Sequence, residues 1–74
     1  MIVTERPGKF KTRIEIDWNY YDPTHLDRWC MENFNWQKDF IYKAIRNADY
    51  DYNHYYYFRC QKNAMMFILK WSKK

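Results

Sequence analysis

Phe10-Lys11-Thr12-Arg13-Ile14-Glu15-Ile16-Asp17-Trp18 is the stretch that decides the fold class. Phe10, Thr12, Ile14, Ile16 and Trp18 fall on one side of an extended chain, and Lys11, Arg13, Glu15 and Asp17 on the other. A period of two built from β-branched and aromatic residues predicts a half-buried strand near 10–19. Toward the N-terminus, Arg6-Pro7-Gly8-Lys9 is a turn signal and Pro7 opposes regular pairing. Residues 1–9 therefore read as an arm, and 10–74 as one small domain.

Toward the C-terminus, Asp22-Pro23 opens a helix near 23–34. Asp can cap the free amides of the first turn, and Pro loses nothing at the first helical position. Leu26, Trp29, Cys30 and Phe34 follow at helical spacing, and Asn33-Phe34-Asn35 offers a left-handed stop. Trp36 to Ile45 fits both periods. Its aromatic and β-branched content favours a strand near 38–46 over a helix. After the polar loop at 47–53, His54 to Cys60 reads as a strand through the near-continuous Tyr55-Tyr56-Tyr57-Phe58. In the tail, Ala64, Phe67, Ile68 and Trp71 recur at helical intervals, with Lys62, Lys70 and Lys73 opposite. This predicts a helix near 61–72, a strand after a Gln61-Lys62-Asn63 turn being the rival.

The order strand-helix-strand-strand-helix predicts an α+β domain. Its three-stranded antiparallel sheet would carry both helices on one face, a ferredoxin-like plan without the last strand. The expected core is Ile14, Ile16, Trp18, Leu26, Trp29, Phe58, Phe67, Ile68 and Trp71.

Tyr55-Tyr56-Tyr57-Phe58-Arg59 followed by Ala64-Met65-Met66-Phe67-Ile68-Leu69-Lys70-Trp71 resembles a pattern of small proteins of tailed bacteriophages. An aromatic strand there runs into a helix of the form Ala-x-x-Phe-x-Leu-x-Trp. Trp29-Cys30-x-Glu32-Asn33-Phe34 is similar to their usual first helix. The likeness covers most of the chain past residue 10. It implies a fold, a phage source and hence a host-cell cytoplasm, and no activity.

The 74 residues limit the core, since so short a chain buries only about 60–65% of its unfolded surface. Aromatics at 23% compensate, because large rings bury much area each. The single glycine, Gly8, excludes a glycine-rich phosphate loop. The longest apolar run, Ala64 to Leu69, is far short of a membrane span, and the N-terminus lacks the layout of a secretory signal. The expected setting is cytosolic, with Cys30 and Cys60 reduced.

Catalytic and metal chemistry find little support. There is no CxxC or HxxxH pair among Cys30, Cys60, His25 and His54. His25 and Cys30 stand about 140° apart on a helical wheel. Ser72 is the only serine. Glu15 and Asp17 could pair as carboxylates, but on an open sheet such a pair is usually solvated. The expectation is a non-enzyme with no cofactor and no metal.

Binding has more support. If Tyr56 and Phe58 face the helices, the open face carries Tyr55, Tyr57 and Arg59. Ile41, Lys43 and Ile45 join from one neighbouring strand, and Arg13 and Glu15 from the other. Ile41, Ile45, Tyr55, Tyr57 and Arg59 then form a protein-binding patch for a second copy or a host protein. RNA or single-stranded DNA is the alternative, held by Arg13, Lys43, Tyr55, Tyr57 and Arg59, with the exposed tyrosines stacking on bases. The net charge of +4, from 13 basic and 9 acidic residues, is compatible with both. No membrane partner is expected.

Overall fold

A computed structural model describes residues 1–17 and 22–71. The elements run β1 (Ile2–Glu5), β2 (Thr12–Ile16), α1 (Pro23–Asn33), β3 (Phe40–Arg46), β4 (Tyr52–Phe58) and α2 (Gln61–Trp71). The strands form one sheet in the order β1-β2-β4-β3, and every neighbouring pair is antiparallel. Because β2 and β3 both oppose β4, they are parallel to each other. Helix α1 connects them, and β4 fills the space between, a split crossover.

The alternation in β2 does what its period requires: Thr12, Ile14 and Ile16 are buried, and Arg13 and Glu15 point the other way. Trp18, placed in the same row by the sequence, lies outside the described residues, as do Ser72 and Lys73. The ambiguous middle segment resolves as strand β3, and the tail as helix α2. Asp22 caps α1, its carboxylate accepting the Thr24 N–H at 2.9 Å.

Two expectations about the elements are corrected. The sheet has four strands, not three, because residues 2–5 of the supposed arm pair with β2 in the register Ile2↔Glu15 to Glu5↔Thr12. Pro7 ends this strand but lies beyond its last pair. The asparagine cap of α1 does not form. Phe34 closes the helix in an extended conformation (φ −136°), its N–H donating to the Cys30 carbonyl at 2.8 Å. The Asn33 amide donates instead to the Trp29 carbonyl, and the left-handed residue comes later, at Gln37 (φ 69°).

The core lies between the two helices and one sheet face. Ile14, Ile16, Leu26, Phe58 and Phe67 are buried in it as expected, together with Cys30, Phe34, Phe40, Tyr56 and Ala64. Trp29, Ile68 and Trp71, also expected inside, are only partly buried and pack against its edge. Phe67 meets the rings of Trp29, Tyr56 and Phe58 at 5.2–6.1 Å between centroids, so α2 is clamped to both α1 and β4. Among the described residues, no helix is long and apolar enough to cross a membrane.

Candidate binding surface

Strand β4 is central: His54 to Phe58 have a neighbour on both sides, and Tyr52 and Asn53 pair with β3 alone. His54, Tyr56 and Phe58 turn toward the helices. Asn53, Tyr55 and Tyr57 turn to the outer face. The pairing registers set two rows across that face: Ile2–Glu15–Tyr55–Lys43 and Thr4–Arg13–Tyr57–Ile41. Ile45, opposite Asn53, extends the patch toward the β3–β4 loop. The topology thus brings Ile41, Ile45, Tyr55, Tyr57, Arg13 and Lys43 together as the sequence pattern requires. Arg59 follows the last residue of β4 and is exposed at the end of the sheet, its N–H donating to the Asp39 carbonyl at 2.9 Å.

The tyrosines are not exposed rings, which corrects the sequence reading. Tyr55 is 8% and Tyr57 5% accessible. Cations roof them: the Arg13 guanidinium lies 4.8 Å from the Tyr55 centroid, Arg6 5.4 Å and Lys43 5.7 Å from that of Tyr57. Long cationic side chains cover apolar surface with their stems while keeping the charge in water, and the ring face attracts the charge. Ile41 is half-buried between them, and Ile2 and Ile45 remain exposed. Arg6 was missed because it belongs to the segment read as an arm. Only the pairing of β1 carries it onto this face.

The helix-facing side holds a line of polar groups. The Tyr56 hydroxyl donates to the Asp27 carboxylate, and the Tyr42 hydroxyl and His54 Nδ1 share a hydrogen bond at 2.6 Å. Burial, and then its bond to Asp27, push the Tyr56 phenol far above its ordinary value. Burial, with a smaller contribution from the Asp27 charge, pushes the Cys30 thiol up to about 12. A thiol so raised stays protonated and is a poor nucleophile at neutral pH. His25 is exposed beside Asp22, and Cys60 is exposed, so neither converges on Cys30. Glu15 and Asp17 line an open polar cavity of about 320 Å³ with Asp51 and His54. Among the described residues, no group of three His, Cys, Asp or Glu side chains is placed to hold a metal ion.

No protein-family model, curated protein or solved structure matches the chain.

Proposed function

We propose that this is a small non-catalytic accessory protein whose outer sheet face docks a protein partner bearing carboxylates around an apolar centre. The observation that carries the reading is the roofing of Tyr55 and Tyr57 by Arg6, Arg13 and Lys43. A guanidinium resting on a ring is held in place before a partner arrives, so less side-chain freedom is lost on binding. On these rows Arg13 and Lys43 face a single carboxylate, Glu15, Arg6 adds a third cation over Tyr57, and Ile2, Ile41 and Ile45 supply apolar contact beside them. Arg and Tyr together are typical of interface centres, and a rim of charge steers the partner. Base stacking on the same tyrosines is less well supported, because the ring faces a base would need are taken by cations.

The same reading extends to the fold family and source. Strands β2, β3 and β4 with both helices follow a ferredoxin-like plan, and β1 stands where the closing strand of that plan would lie. The likeness to small tailed-phage proteins suits a host-cell cytoplasmic protein that acts by occupying a surface. A second copy is the rival occupant.

Affinity capture from nuclease-treated producing cells tests the proposal, comparing wild type with Ile45→Asp and Lys43→Glu. Both positions are exposed, so both variants should fold. The expected result is an acidic protein captured by wild type and lost with each variant. Capture unaffected by both would refute it. A wild-type dimer in sedimentation, dissociated by both, would replace the acidic partner with a second copy.

A further inference from the structure

The two ends of the sheet carry opposite charge. At the end where β1 and β4 finish and β2 and β3 begin lie Arg6, Lys9, Lys11, Lys38, Arg59 and Lys62, all exposed, against three carboxylates, Glu5, Asp39 and, in the last turn of α1, Glu32. At the other end Glu15, Asp17, Asp49 and Asp51 outnumber Lys43 and Arg46. The basic residues form a row. Arg6 donates its N–H to the Lys11 carbonyl at 2.6 Å, continuing the β1–β2 pairing. Lys11 precedes the Thr12↔Phe58 pair and Arg59 follows it, so the two stand across from each other. Arg59 is tied to Asp39, beside Lys38, and Lys62 follows in the first turn of α2. Across four strands this row spans roughly 14 Å, three steps of about 4.8 Å. Among the described residues, none of the six cations makes an ion pair with a carboxylate. The Asp39 carboxylate is already accepting the Asn35 N–H at 3.0 Å.

The same end presents an aromatic ring that the fold leaves open. Trp36 is 45% accessible, although its ring meets Phe40 edge-on at 5.4 Å. Its loop is closed from both sides. The Gln37 N–H donates to the Phe40 carbonyl at 2.8 Å, and the Asp39 N–H to the Asn35 carbonyl at 2.8 Å. Gln37 takes a left-handed conformation to do so (φ 69°), a conformation disfavoured for a residue with a side chain. A half-exposed indole on a fixed loop, beside a row of unneutralised cations, is the pairing that the roofed tyrosines fail to supply.

We infer that this basic end binds single-stranded nucleic acid, one base stacking on Trp36 while Lys38, Arg59, Lys11 and Lys62 contact the backbone phosphates. Arg6 and Arg59 border both this end and the outer-face surface, but the stacking ring, Trp36, belongs to this site alone. Stacking on an aromatic platform tolerates any base, so the binding should be sequence-independent and strongly dependent on salt.

The test is fluorescence anisotropy of a labelled short oligothymidylate titrated with the full chain. If four phosphates are contacted, affinity should fall on the order of 50-fold between about 50 and 200 mM salt. Trp36→Ala should weaken binding about 5- to 150-fold, the value of one base–aromatic stack, and Trp36→Phe should restore most of it. Lys38→Glu with Arg59→Glu should weaken it at least about tenfold. Ile45→Asp, on the outer face, should leave it unchanged. Trp36 is exposed, so its removal should leave the thermal melt near wild type. No binding at low salt, or binding indifferent to Trp36→Ala in a folded variant, would overturn the inference. Equal displacement of the oligonucleotide by polyglutamate, or tighter binding of a duplex of the same length, would also overturn it.

Discussion

Removing the Tyr57 ring tests whether the cation roof is part of the fold. Tyr57 sits on the face without helices, yet it is 5% accessible, beside Tyr55 and under Arg6 and Lys43. Tyr57→Ala returns the covering stems to water and removes the buried ring, a transfer loss of about 1.5 kcal/mol after allowance for the hydroxyl. Two cation–ring contacts add about 0.5–1 kcal/mol each. No closed cavity forms, because the pit opens to solvent, so the usual extra cost of an internal void is absent. The sum is about 3 kcal/mol, a large part of the stability of a domain this size. Urea unfolding should show the loss with little change in slope. The melting temperature should fall by roughly 12–24 °C. A double-mutant cycle pairing Arg6→Ala with Tyr57→Ala should return a coupling of about 0.5–1 kcal/mol. Tyr57→Ala within about 0.5 kcal/mol of wild type, the range of ordinary surface changes, would show that the roof contributes nothing. For the same reason this truncation is a poor probe of partner binding, which Ile45→Asp and Lys43→Glu address without removing a buried ring.

Phe67→Ala should cost about 3–5 kcal/mol in equilibrium denaturation, because Phe67 is fully buried against rings from α1 and β4, whereas Trp29→Ala should cost less since Trp29 is only partly buried. Tyr56→Phe should cost about 1.5 kcal/mol by the same measurement, near the lower limit for a hydrogen bond to a charged group, because the exposed Asp27 can turn to water. The Cys30 thiol rises from an ordinary 9.0 to about 12 in the fold, so the unfolded chain loses this proton first. The stability this provides is full below pH 9 and is lost progressively toward pH 12, up to about 4 kcal/mol, and Cys30→Ala should flatten that part of a stability-against-pH profile.

Much of the fold was legible because burial imposes a period. The β2 alternation, the Asp22 cap and the helical stripe of α2 each show in sequence the face that the core requires. Strand β1 was not legible. Its four residues lie at the sheet edge, with Ile2, Val3 and Glu5 exposed, so no buried face marks them, and the pairing rests on the backbone ladder with one long side-chain hydrogen bond from Thr12 to Glu5. The outer face was legible in membership, since period two fixes which side chains share a side. Its surface was not, because periodicity says nothing of where a flexible Arg or Lys lays its stem. Trp36 escaped notice for a related reason. It falls in a segment whose helix and strand patterns compete, and its exposure depends on a left-handed Gln37 that no local signal announces.

These outcomes have one physical source. Among the described residues two helices cover a four-stranded sheet, and both go to one side. The tyrosines of the central strand would otherwise stand in water on the other side. Cationic side chains shield them without adding a layer of structure, and the face stays charged. The shield depends on the edge of the sheet. Arg6 reaches Tyr57 only because Ile2–Glu5 pair with β2, so fraying of β1 would both open that edge and uncover the ring. The integrity of the first strand and the character of the outer face are therefore one property, and any partner that pairs with β1 acts on both.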